Sequence, residues 1–139
     1  MTPAVTLEDR IARFENGEIS PDTFHHADHV QLAFEYLRRY TAIEALHKFS
    51  AALQRFAAAQ GKADRYHETI TWAYLFLIRE RMARAATPQT WEQFAEQNPD
   101  LLVWRPSLLE RYYCKQTLDS SLARKTFVFP DRIASEQVT

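Results

Sequence analysis

Three of the five histidines, His25, His26 and His29, fall within five residues of one another with Asp28 among them, and His67 stands beside Glu68 further on. These residue types can ligate a metal or move a proton. His26 and His29, three apart, project to a common side of a helix start, and His67 reaches the same space if its own helix packs alongside with its start at the same end. Three neutral imidazoles with Glu68 or Asp28 then make a nitrogen-rich site for zinc, iron, copper or nickel. In that reading His26, His29 and His67 bind the metal, Glu68 is a fourth ligand or general base, and Asp28 orients a histidine or shuttles a proton. Zinc-dependent hydrolase or lyase chemistry on a small polar or anionic metabolite is favoured over oxygen chemistry on iron or copper, because no second carboxylate-rich helix pair suggests a di-iron bundle.

Two other readings use the same residues. In the first, the histidines and acids cap helices, and the protein is a metal-free ligand-binding or interaction module. In the second, Glu68 or Asp28 is a base, a neutral histidine is its acid, and paired helix starts cradle an anionic group without metal. The positive end of a helix dipole disfavours imidazolium, which suits both metal binding and acid–base catalysis.

Helices must position these groups. Thr6 with Asp9 forms a capping box, and Leu7, Ile11 and Phe14 give a first amphipathic helix that stops at Asn16-Gly17. A second helix begins near His26 and runs to about Tyr40. Thr41 with Glu44 opens a third, in which Ile43, Leu46, Phe49, Leu53 and Phe56 keep helical spacing up to Gly61. Asp64 is the expected cap of a fourth helix through Arg84, apolar on nearly every side from Ile70 to Ile78 and so expected at the buried centre, with Tyr66, Trp72, Tyr74 and Phe76 read mainly as core. Thr90 with Gln93 opens a fifth helix. Ser107 to about Lys115 forms a sixth, and Asp119 caps a seventh from Ser120 to about Val128.

The expected fold is therefore all-α, a single-domain bundle of about six or seven helices spanning 1–139, with flexible ends at about 1–5 and 134–139. The composition agrees: 46% of the 139 residues are hydrophobic, enough for one core, and two glycines are too few for a hairpin-rich fold. They also leave no glycine-rich cradle for a nucleotide cofactor. Seventeen basic against 18 acidic residues, without a block of one sign, argue against nucleic acid as partner and for a small molecule or a second copy in a homodimer. The longest apolar run is too short for a membrane. The single Cys114 and the lack of a leader-like start point to the cytoplasm. Cys114 is expected as a buried inert thiol, His47 as a solvated residue, and Arg65 and Arg124 as salt-bridge residues before carboxylate binders.

The run Phe24-His25-His26-Ala27-Asp28-His29-Val30, with Ala33 and Tyr36-Leu37, followed by Tyr66-His67-Glu68-Thr69-Ile70-Thr71, resembles a widespread group of small, uncharacterised bacterial helical proteins. The similarity continues through Tyr112-Tyr113, Ala123-Arg124, Phe127-Val128 and Pro130-Asp131. The resemblance implies that His26, Asp28, His29, His67 and Glu68 occupy the group's characteristic polar positions, and that His25 and His47 do not. Cys114 departs from the serine expected there. No activity, substrate or cofactor comes with the resemblance.

Overall fold

The computed structural model describes residues 6–132, and the expected flexible ends lie outside the described residues. Seven α-helices follow in order: α1 Leu7–Glu15, α2 His26–Arg39, α3 Ala42–Ala59, α4 Glu68–Arg84, α5 Trp91–Gln97, α6 Lys115–Leu118 and α7 Ser121–Lys125. Short 3-10 turns at Pro21–Thr23, Ala63–Arg65, Pro99–Leu102 and Leu108–Arg111 connect them. No strand occurs among the described residues, so the fold is a single all-α domain.

Local chemistry sets the helix starts. The capping boxes at Thr6, Thr41 and Thr90 all form, each with its side chain accepting from the backbone N–H three residues on. The stops at Gly17 and Gly61 also form, with φ of 71° and 68°, the left-handed conformation that glycine adopts without a Cβ clash. Gly17 carries a second constraint, since a Cβ there would sit 3.3 Å from the Cβ of Ala59.

The centre of the molecule is α2, where Leu32 to Leu37 are buried without interruption. It packs against α3, α4 and α5. Phe14, Tyr36 and Phe49 join α1, α2 and α3 in one aromatic cluster, with Phe14 and Phe49 ring centres 5.6 Å apart and Tyr36 edge-on to both. Phe34 and Phe94 do the same for α2 and α5 at 4.9 Å. The expectation that α4 is the most enveloped helix is corrected in part: Phe76 is 42% exposed, as Arg79 is on the same side of the chain. Ile43 is likewise on the solvent side of α3.

The C-terminal third departs further from the periodicity. The expected sixth helix is broken into the Leu108–Arg111 turn and the four-residue α6, and the seventh stops at Lys125. Ser120, not Asp119, caps α7, accepting from the Ala123 N–H. Residues after Lys125 leave the helix because their polar groups are claimed from elsewhere. Thr69 Oγ1 donates to the Thr126 carbonyl at 2.9 Å and accepts from the Val128 N–H, while the Tyr113 hydroxyl donates to the Val128 carbonyl at 2.7 Å. The chain from Thr126 onward is thus tied to the start of α4. Cys114 stands at the N-cap position of α6 without a side-chain capping bond and is exposed, not buried as its type suggests.

Candidate functional site

His25 ends the approach to α2, and the Asp28 carboxylate accepts from the His25 N–H at 2.9 Å. Asp28 also pairs with Arg10 at 3.1 Å, which ties α1 to the start of α2. Its two oxygens are therefore structural, and Asp28 is not among the residues lining the cavity described below. Helix α4 begins at Glu68, so Asp64 is not its cap; Ala63–Arg65 forms a separate 3-10 turn and His67 takes the cap position. His67 Nδ1 accepts from the Ile70 N–H at 3.1 Å, and Nε2 donates to the Leu118 carbonyl at 2.7 Å. Both ring nitrogens are spent. The Glu68 carboxylate accepts from the Tyr66 hydroxyl at 2.6 Å and lies outside the cavity lining.

The three histidines do meet at one place. His26, His29 and His67 all line a cavity of about 740 Å3 between α2, α3 and α4, within the range of small-molecule sites. The starts of α2 and α4 therefore open on the same space. Their polar environments differ. The structure puts Nε2 of His26 2.9 Å from the Leu101 carbonyl, which makes that nitrogen the donor, and packs the ring against Tyr74 and Trp104. Leu101 is held in turn by Arg81, which grips both oxygens of Asp100 at 2.9 and 3.0 Å. His29 stacks on Phe24 with ring centres 4.1 Å apart, and neither of its nitrogens has a hydrogen-bond partner among the described residues.

All three imidazoles are pushed toward the neutral form. Burial drives His29 down to about 4, with a smaller push from neighbouring His26 that outweighs the opposing pull of Asp28. Burial also lowers His26 and His67, partly offset by their bonds to the Leu101 and Leu118 carbonyls. A donor set of this kind does not fit a metal ion. His67 has no free ring nitrogen and would have to release one of its two bonds, His26 could offer only Nδ1, and no group of three His, Cys, Asp or Glu side chains among the described residues is placed to share an ion. At about 4, His29 is also a weak general base at neutral pH.

The rest of the wall is divided by polarity. Its floor is apolar, with Val30 and Ala33 from α2, Phe49, Leu53 and Phe56 from α3, and Ile70, Leu75 and Ile78 from α4. At its rim stand Lys62, Arg65, Arg105 and Arg124, all exposed, and no aspartate or glutamate lines the cavity. None of these four cations is in a salt bridge among the described residues, a state they share with Arg13, Lys48, Arg55, Arg79, Lys125 and Arg132 elsewhere on the surface. The expectation of salt bridges for Arg65 and Arg124 is thus corrected. In a chain with formal net charge −1, this apolar hollow is rimmed by cations with no acid among its lining residues.

Lys62, Arg105 and Trp104 carry no sequence signal for this role. Lys62 and Arg65 follow the Gly61 stop, and Trp104-Arg105 sit in an irregular stretch before Pro106 that periodicity leaves unassigned. His47 is exposed on α3, as expected. No protein-family model, curated protein or solved structure matches the chain.

Proposed function

We propose that the protein binds an amphipathic organic anion, with the apolar body in the cavity between α2, α3 and α4 and the anionic head among Lys62, Arg65, Arg105 and Arg124. The observation that carries this reading is the cavity wall itself: an apolar floor, four rim cations and no carboxylate. An apolar body of about ten carbons gains on the order of 25 cal/mol for each Å2 it removes from water, which supplies affinity. The rim cations supply the sign preference, because a low-dielectric wall concentrates their field on the opening. Neutral histidines fit this arrangement, since they add polar contacts without adding charge. Planar guanidinium groups further favour carboxylate, sulfonate or phosphate heads, which accept paired hydrogen bonds.

The test compares dodecanoate, dodecanol and dodecylamine, each below its aggregation limit, by isothermal titration. Dodecanoate should bind most tightly, and dodecylamine most weakly. Replacing Arg65 and Arg124 together by Gln should weaken dodecanoate by about tenfold at low salt, leave dodecanol unchanged, and lose most of its effect in 0.5 M salt. Equal binding of the amine and the carboxylate, or no binding of any of the three, would refute the reading.

A further inference from the structure

Among the cavity's histidines, His29 is the one with neither ring nitrogen bonded to another described residue. His26 gives its Nε2 proton to the Leu101 carbonyl and His67 uses both nitrogens, so their polarity is largely absorbed by the fold. The ring of His29 is fixed by its stack on Phe24 at an interplanar angle of 27°, and Phe24 is itself wedged against Phe14 and Phe56. The imidazole therefore cannot turn away from the cavity without breaking an aromatic cluster. Of the other wall residues on α2, Val30 and Ala33 are apolar and His26 has committed its Nε2 to the Leu101 carbonyl. The half-buried ring stays open to the cavity, and a ligand that covers it without a hydrogen-bonding group leaves its nitrogens unpaired at a cost in free energy.

We propose that His29 is a specificity residue that hydrogen-bonds a hydroxyl on the apolar body of the ligand, so that the preferred ligand class is a hydroxylated amphipathic anion. This rests on the binding reading above and adds a second polar point to it. A neutral imidazole has one donor and one acceptor. A hydroxyl matches both, and it can be desolvated far more cheaply than a second anionic group, which would be drawn to the rim cations instead. A plain alkyl chain leaves the ring unpaired and forfeits that gain.

The experiment uses the full chain and isothermal titration with dodecanoate and a positional series of hydroxydodecanoates. One position in the series should bind about tenfold more tightly than dodecanoate, the size expected when a buried polar group gains its partner. H29F, which keeps an aromatic ring against Phe24, should bring the ratio of hydroxydodecanoate to dodecanoate affinity down to about one, so that the preference for the hydroxylated ligand is lost. H29Q, which keeps a donor and an acceptor, should retain part of it. If dodecanoate binds and no hydroxylated isomer binds better, this inference is overturned while the broader one stands. Failure of every carboxylate to bind overturns both. Should H29F not fold, the wild-type positional series still decides the matter.

Discussion

His67→Ala should cost about 2–4 kcal/mol of folding stability. The substitution removes the acceptor for the Ile70 N–H, 3.1 Å away, and the donor to the Leu118 carbonyl, 2.7 Å away, at a position only 8% exposed. Loss of an N-cap side chain costs about 1 kcal/mol, and leaving a partly buried carbonyl without its donor costs a further ~1–3 kcal/mol. Against a total stability of roughly 5–15 kcal/mol this is a large share. His67→Asn should recover about 1 kcal/mol of it, because Asn is a good N-cap but too short to span the distance to Leu118. Urea denaturation followed by circular dichroism at pH 7.5 gives both numbers. Amide exchange should also quicken in α6, which the Leu118 carbonyl ties to α4, more than in α3. A loss below ~0.5 kcal/mol for His67→Ala, with His67→Asn no better than Ala, would refute the assignment of His67 as the cap and strap of α4.

The depressed histidines predict acid sensitivity in a defined window. The unfolded chain takes up protons near pH 6.5 whereas folded His29 does so only near 4, so the stability this group contributes is complete above 6.5 and is lost as pH falls toward 4, by at most about 3 kcal/mol; denaturant curves at pH 7.5 and 4.5 should show the loss in wild type and a smaller one in His29→Gln. Asp28→Ala should cost about 1–2 kcal/mol through the lost Arg10 pair and the lost contact to the His25 N–H. The same variant should leave dodecanoate affinity unchanged, and a large loss of affinity would place Asp28 in the site after all. Arg81→Met should cost about 1–2 kcal/mol and weaken dodecanoate binding, because the Asp100 grip sets the turn whose carbonyl holds His26; unchanged affinity would show that the turn stands without it.

How far the fold could be read from the sequence depends on the range of the forces that set each part. The starts at Thr6, Thr41 and Thr90 and the stops at Gly17 and Gly61 depend on atoms within four residues, and each was legible. The break at Tyr112–Cys114 was not, since it exists because the backbone N–H groups of Asp131 and Arg132 and the Asp131 carboxylate seize that stretch from the far end of the chain. The site was half legible. Spacing at helix starts brought His26, His29 and His67 to one cavity, but Lys62, Arg65, Arg105 and Arg124 come from three separate segments with nothing in common in the sequence.

Capping and periodicity are local properties of the chain, and they suffice to specify an all-α domain with histidines at the heads of two helices. What those histidines are free to do depends on contacts between distant segments. The carbonyls that engage them lie 75 residues from His26 and 51 residues from His67, and no local pattern encodes a partner at that distance. Packing added a distant partner to the locally capped His67, gave His26 one, and left His29 facing the cavity with none.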